Sequence, residues 1–211
     1  MFITFEGVEG CGKTVQARLL AEHLRQMGLP VVLTREPGGT DIGDQIRAVL
    51  HDTGNTAMLP TSEILLYSAA RAQIVGQLIR PALAAGQVVV CDRYADSTLA
   101  YQGYGRGLSL EALRYITTFA TGGLRPDLTL LLDVDVQASL SRKHAAFRAQ
   151  QDELNRMDRQ TVDFYSRVRE GYKTLVAQEP DRWVVVDAGR DIATIQDEIR
   201  AVVEPRLRPQ Q

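Results

Sequence analysis

The stretch Gly7-Val8-Glu9-Gly10-Cys11-Gly12-Lys13-Thr14 follows the apolar run Met1 to Phe5 and precedes Val15 to Leu20, a helical pattern. A glycine, four residues, then Gly-Lys-Thr is the spacing of the phosphate-binding P-loop, and it stands where that loop works, between a strand and a helix. Glycines let the backbone turn its N–H groups inward around phosphate oxygens. Lys13 is placed to reach the outer phosphates and Thr14 to offer its hydroxyl to Mg²⁺. The helix opening at Gly12–Lys13 adds its positive end. A glycine-rich turn that binds nothing is the bland alternative, and the strand-loop-helix context weighs against it.

Outward from the loop, β-branched runs alternate with longer helical patterns. Phe2–Phe5, Val31–Thr34, Val88–Cys91, Leu128–Leu132 and Trp183–Val186 read as strands. Helices are expected over Lys13–Met27, Ile42–Leu50, Glu63–Ala84, Leu110–Thr121, Val136–Ala149, Glu153–Gln178 and Ile192–Val203. Five strands with crossover helices imply an α/β fold, a five-stranded parallel sheet flanked by helices. The 211 residues, 45% hydrophobic, suffice for one core, so one domain over 1–211 is expected. The tail Glu204 to Gln211 reads as frayed.

Several function classes drop out. A net charge of −2 argues against general affinity for nucleic-acid polymers or anionic membranes. No apolar run reaches membrane-spanning length and the chain opens on a strand, not a basic apolar leader, so a soluble cytoplasmic protein is expected. The two cysteines, Cys11 and Cys91, read as reduced thiols. No Asn-Lys-x-Asp guanine reader follows a late strand, against a GTPase. The third strand ends Asp92-Arg93 and not Asp-Glu, against an ATPase motor.

In open α/β sheets ligands sit beyond the carboxyl ends of the strands. Those ends are polar here: the P-loop, then Arg35 to Thr40, Asp92-Arg93-Tyr94, and Asp133-Val134-Asp135. Phosphoryl transfer needs several cations around one point, and Lys13, Arg35, Arg47 and Arg93 are available. Tyr67 and Arg71, four apart on one helix face, could stack on a flat base and donate to it, although a helical aromatic is more often core. Asp92 could orient Arg93 or act through Mg²⁺-bound water, and both readings stand.

The segments FEGVEGCGKT, TREPGGTDIGDQIR, EILLYSAARAQ, CDRYADSTLAYQG and VDFYSRVREGYKTL resemble bacterial thymidylate kinases, from residue 1 to about 203. The resemblance implies a P-loop NTPase fold with a small helical lid over about 141–159. It implies ATP-dependent phosphorylation of dTMP to dTDP with Mg²⁺ in a homodimer, with dTMP and ATP as its partners. It assigns the donor phosphates to residues 7–14, Gly7, Val8, Glu9, Gly10, Cys11, Gly12, Lys13 and Thr14. The metal falls to Thr14, Glu9 and Asp92. The dTMP side falls to Glu9, Pro37, Arg47, Tyr67, Arg71, Arg93, Ser97, Thr98 and Tyr101, with Tyr101 against the 2′ carbon of the sugar. Tyr67 departs from the family's usual Phe but keeps the ring face. Position 10 is Gly, where eukaryotic members carry an arginine, so the missing cation is expected from the lid. Arg142, Lys143, Arg148 and Arg156 are the candidates there, with Arg142 and Arg148 preferred as catalytic beside Lys13 and Arg93.

Overall fold

The computed structural model describes residues 1–149 and 156–207. The five strands are β1 (Phe2–Glu6), β2 (Val31–Arg35), β3 (Val88–Asp92), β4 (Leu128–Asp133) and β5 (Trp183–Asp187), each within one residue of its expected span. All pairings are parallel, in the order β2-β3-β1-β4-β5. β1, β3 and most of β4 are buried on both faces, which is why they read as continuous apolar runs rather than alternations. With β1 at the centre, the P-loop leaves the middle of the sheet. Arg93 N donates to Phe5 O (2.9 Å) and Glu36 N to Asp92 O (2.9 Å), so the segments after β3 and β2 continue the ladder past the strand ends.

The helices are α1 (Lys13–Gln26), α2 (Asp41–His51), α3 (Pro60–Ile74), α4 (Arg80–Ala84), α5 (Ala95–Thr98), α6 (Leu110–Thr121), α7 (Val136–Arg148), α8 (Val162–Gln178) and α9 (Ile192–Leu207). Val75–Ile79 joins α3 to α4 as a π-helical stretch, so the long helix expected to Ala84 is continuous and begins earlier, at Pro60. A second π-helical stretch, Leu99–Gly105, extends α5 and carries Tyr101 and Gln102.

Two expected boundaries are corrected. The helix expected from Glu153 begins at Val162, where Thr161 caps it by accepting the Phe164 N–H (3.2 Å). A 3₁₀ turn, Arg156–Arg159, precedes it, and 153–155 lie outside the described residues. The last helix runs to Leu207, not Val203, and includes Pro205. A proline one turn from the end forfeits one hydrogen bond but keeps a helical φ, and buried Ile199 and Val203 hold the helix down. Positions 204–207 are therefore ordered helix, and 208–211 lie outside the described residues.

Two glycines let α8 approach the π-helical stretch closely. A Cβ on Gly105 would fall 2.7 Å from Phe164 Cε2, and one on Gly171 would fall 2.6 Å from Cβ, Cγ and Cδ2 of Tyr104. Those Tyr104 atoms lie at the root of its side chain and cannot swing aside. Gly171→Ala should therefore destabilise the protein by about 1–3 kcal/mol, the overpacking cost exceeding the ~1 kcal/mol gain in helix propensity. Urea denaturation checks this, and a stabilised variant would contradict it.

Candidate active site

One cleft of about 1070 Å³ runs across the carboxyl end of the sheet, from the P-loop and α7 to α2, α3 and the π-helical stretch. Glu9, Gly10, Gly12, Lys13 and Thr14 floor one end, and Pro37, Arg47, Tyr67, Arg71, Thr98 and Tyr101 line the other. Asp92, Arg93 and Ser97 also line it. Gly7, Val8 and Cys11 complete the loop behind this surface.

The loop needs glycine at specific points. Gly7 has φ +141° with Leu132 O 2.6 Å from a notional Cβ, and Gly12, at φ +99°, hands the chain into α1. Lys13 is buried and folds over the loop, donating to Val8 O (2.8 Å), Gly7 O (3.1 Å) and Cys11 Sγ (3.5 Å). Both cysteines are unpaired and buried. Burial, with Glu36, Asp92 and Glu6 around it, pushes the Cys91 thiol well up, so Cys91 stays protonated.

Arg93 sits at the junction. Its backbone takes φ +71°, rare outside glycine, which turns the side chain back over the P-loop. Nη1 donates to Gly7 O (3.0 Å), Ser97 Oγ (3.2 Å) and Tyr172 OH (3.4 Å). Nη2 donates to Glu9 Oε1 (2.8 Å) and Tyr101 OH (2.9 Å). The guanidinium also lies 4.8 Å from the centre of the Tyr101 ring. Ser97 and Tyr101, four residues apart, converge on Arg93. Tyr101 is 5% exposed, so it is both a core aromatic and a cleft wall.

Glu9 lies among cations. Burial pushes its carboxyl up, but Arg93, Lys13 and Lys143 outweigh that and hold it at about 2. Its partners are Arg93 and the Tyr101 hydroxyl (3.4 Å), an arrangement that suits an anchoring carboxylate better than a metal ligand. Thr14 instead donates to Asp92 Oδ2 (2.5 Å). That hydroxyl–carboxylate pair is a donor set suited to Mg²⁺, which takes one or two protein oxygens and completes its shell with phosphates and water. Among the described residues no cluster of three or more His, Cys, Asp or Glu is placed to hold a metal without such help.

At the other end Arg71, 2% exposed, donates to Glu36 Oε2 (2.7 Å), Thr98 Oγ1 (2.9 Å) and Tyr94 O (3.2 Å). Burial raises Glu36 to about 7 despite Arg71. The Glu36–Pro37 peptide is cis, and Pro37 O accepts from Arg47 Nη1 (2.9 Å). Arg35 pairs with Asp44 (3.1 Å) at the cleft edge. Burial, with Glu63 nearby, raises the Tyr67 phenol to about 12, and the hydroxyl makes no hydrogen bond among the described residues.

The lid cations separate. Arg142, Lys143 and Arg148 lie in α7, as the expected helix over Val136–Ala149 places them, with Val136, Ser139 and Lys143 on its buried face. Arg142 lines the cleft but is drawn to Ala188 O (2.7 Å) and Gly189 O (3.4 Å). Arg148, at the end of α7, is exposed and off the cleft. Arg156 is buried, donating to Glu63 Oε2 (2.5 Å) and Leu50 O (3.1 Å). Of the preferred pair, Arg142 alone borders the cleft.

Three residues that carry this geometry lie within the segments of the resemblance but had no role assigned from the sequence. Glu6, wholly buried, accepts from Tyr94 N (2.8 Å), Ser97 Oγ (2.5 Å) and Tyr172 OH (2.7 Å). Glu63 accepts from Gln102, Arg106 and Arg156. Tyr172, from α8, bridges Glu6 and Arg93.

The family model described as thymidylate kinase matches residues 5–199. The chain belongs to the thymidylate kinase family. A thymidylate kinase of Roseiflexus sp. (strain RS-1) is 52% identical over 98% of this chain and 95% of its own. One from Geobacter sulfurreducens is 49% identical over 98% of this chain and 97% of its own. The crystal structure of thymidylate kinase from Ehrlichia chaffeensis superposes with a TM-score of 0.77 at 34% identity, covering 97% of this chain and 98% of that one. The sheet and loop are those of a P-loop NTPase, and the chain is a kinase that phosphorylates dTMP with ATP.

His51, at the end of α2, also lines the cleft. Burial, reinforced by Arg47, holds its imidazole down at about 4, against 6.5 when unfolded. Between pH 6.5 and 4 the unfolded chain takes up a proton on His51 that the folded one refuses, so the contribution of His51 to stability falls as pH drops through that window, opposite in sign to that of Glu36. His51→Gln should flatten this part of the curve, while loss through Glu9 begins only below about 4.5. Urea denaturation from pH 7 to 4 measures it, and an unchanged slope would rule the histidine out.

Proposed function

We propose that ATP enters at the P-loop end of the cleft and dTMP at the Tyr67–Tyr101 end, the two phosphate groups meeting at Arg93. The observation that carries this reading is the reach of that one guanidinium, which touches Gly7 O of the loop and the hydroxyls of Ser97 and Tyr101 on the acceptor side. Lys13 leaves its loop carbonyls for the donor's outer phosphates, an exchange of equivalent hydrogen bonds for a stronger charge. Arg93 offers donors already fixed in place as charge redistributes during transfer. Thr14 and Asp92 would hold Mg²⁺, which when bound would neutralise charge on the donor phosphates. Glu9 keeps Arg93 in register. Arg47 borders the acceptor phosphate, with Pro37 fixing its guanidinium.

At the acceptor end Tyr67 offers a ring face for thymine. Arg71 and Thr98, locked to each other and to Glu36, present polar edges beside it. Tyr101 narrows the sugar end, and a ribose hydroxyl buried there without a partner would cost about 1–3 kcal/mol. Residues of about 141–159 act as the lid side of the donor end, with Arg142 against the loop after β5. No helix among the described residues is long and apolar enough to cross a membrane, in keeping with an enzyme of the cytoplasmic nucleotide pool.

A coupled ADP-release assay over dTMP, dUMP, dCMP, dGMP and UMP should give dTMP the highest kcat/KM. A better turnover of dGMP would overturn the acceptor assignment. Tyr67→Phe should be nearly neutral, because the ring face survives and the hydroxyl has no partner among the described residues, whereas Tyr67→Ala should weaken dTMP binding by about 1–3 kcal/mol, the worth of one base stack. Equal effects would refute stacking.

A homodimer is supported by the outer face of α3 and α6, which pack on each other. There Leu65, Tyr115 and Phe119 are 60%, 76% and 83% exposed. Large apolar side chains clustered in solvent mark a contact surface. Phe119→Asp should shift the sedimentation mass from dimer to monomer, and a monomeric wild type would refute the interface.

A further inference from the structure

Arg182, the residue before β5, does not line the cleft, and its side chain is 12% exposed. Its guanidinium grips Asp96 on two prongs, Nη1 donating to Oδ2 (2.7 Å) and Nη2 to Oδ1 (2.9 Å). Asp96, 6% exposed, stands on α5 next to Ser97, the hydroxyl that joins Glu6 to Arg93. Nη1 of Arg182 also donates to Thr129 Oγ1 on β4 (2.7 Å), and that oxygen lies 2.9 Å from Thr4 Oγ1 on β1. Both threonines are wholly buried, so this is a polar thread inside the packed sheet and not a surface ion pair. Thr4 and Glu6, two apart on β1, face the same side of the sheet. The thread and the Glu6 network therefore lie along one face, and α5 joins them. No side chain caps the start of α5, so its ties to the sheet are those of its own residues, Ser97 to Glu6 and Asp96 to Arg182. Burial raises the Glu6 pKa and Asp96 raises it further, so the counter-charge on Arg182 also shields Glu6.

We propose that Arg182 is a positioning residue for Arg93: by holding Asp96 on two prongs it sets the first turn of α5, and with it the Ser97 hydroxyl that receives one edge of the Arg93 guanidinium. The proposal rests on the reading of Arg93 given above. Arg182 meets no substrate; it acts through Asp96 and Ser97. The Asp96 carboxylate accepts a hydrogen bond from no other side chain among the described residues. Left there without the guanidinium, it would be a buried charge with no partner. It would turn toward water and carry the turn with it, moving Ser97 off the line between Glu6 and Arg93. A shift of about 1 Å in a group that orients a reacting centre can lower a rate up to about a hundredfold. The fork matters as well as the charge, because two parallel bonds fix the orientation of the carboxylate as one bond cannot. The second ion pair of Arg182, from Nε to Glu179 Oε2 (3.0 Å), lies on the more exposed side and leads to no residue of the cleft.

Steady-state kinetics of the whole enzyme, run well below the thermal midpoint of each variant, test this with Arg182→Met, Ser97→Ala, their double variant and Glu179→Gln. Arg182→Gln takes the place of Arg182→Met if the latter does not fold. Arg182→Met should lower kcat at least about fivefold while KM for ATP and for dTMP each move less than about threefold, the mark of a loss felt in the transition state. On the Ser97→Ala background the same change should cost less than about a further twofold, because the contact it serves is already gone. Glu179→Gln should keep kcat within about twofold of wild type, as befits a partly exposed ion pair. Wild-type kcat in Arg182→Met or in Ser97→Ala would overturn the proposal, and so would losses that multiply in the double variant. Equal losses in Arg182→Met and Glu179→Gln with equal drops in midpoint would overturn it too, making Arg182 a structural ion pair. An Arg93→Ala enzyme with wild-type kcat would overturn the reading of Arg93, and the proposal with it. An enzyme that Arg93→Ala silences and Arg182→Met leaves untouched would overturn the proposal alone.

Discussion

A guanidinium taken out of water must be matched in charge and hydrogen bonding on every side, and in this protein that demand falls on Arg93. Its side chain is 13% exposed. An ion desolvated that far costs several kcal/mol unless neighbours compensate. The neighbours come from four parts of the chain: Gly7 and Glu9 in the loop, Ser97 in α5, Tyr101 in the π-helical stretch, and Tyr172 in α8. Each of those segments is fixed relative to the others because each holds one edge of the same planar cation. The phosphate loop and the segment from Ser97 to Tyr101, the donor and acceptor sides proposed above, are therefore registered to one another without a substrate, which is where an electrostatic catalyst gains most.

Glu6 carries the requirement one layer deeper. It is fully buried at the end of the central strand, and burial, with Asp96 nearby, raises its pKa. Three donors meet it, from Tyr94, Ser97 and Tyr172. Two of these, Ser97 and Tyr172, are the hydroxyls that also touch Arg93. A hydroxyl can donate to Glu6 while accepting from Arg93, so the pair relays the carboxylate's charge to the guanidinium without direct contact. Arg93 stays charged because desolvation is outweighed by Glu9 and this buried network.

The sheet and the loop were legible because their signals are local. β-Branched runs, the Gly-Lys-Thr spacing and polar strand ends are all contained within about ten residues. Tyr67, Arg71 and Arg93 could be read the same way, one segment at a time. Glu6, Glu63 and Arg156 could not. Glu63 and Arg156 are 93 positions apart, and Glu6 and Tyr172 are 166 apart. A charged residue on a helix looks solvent-facing until its partner is known, and partners at such separations leave no periodicity. The end of α9 differs from the expected frayed tail for a related reason: the prolines of the tail are visible in the sequence, whereas the packing of Ile199 and Val203 that holds the helix is not.

Glu63 explains why the segment after α7 returns to one fixed point. Its carboxylate, 1% exposed, takes two donors on each oxygen, from Gln102 and Arg106 on one and from Arg106 and Arg156 on the other. Two guanidiniums and one carboxylate leave an excess positive charge in the cluster, and the carbonyl of Leu50 on α2 absorbs part of it through Arg156. The 3₁₀ turn is thereby pinned to α2, α3 and the π-helical stretch at once, while Ser139 pins α7 to the loop at the opposite wall. Tyr67 lies one turn beyond Glu63, and Tyr101 is adjacent to Gln102. The spacing of these two rings across the cleft is accordingly tied to the same carboxylate that anchors the turn, so a change in how Arg156 is held is felt at the two aromatic residues of the proposed acceptor end.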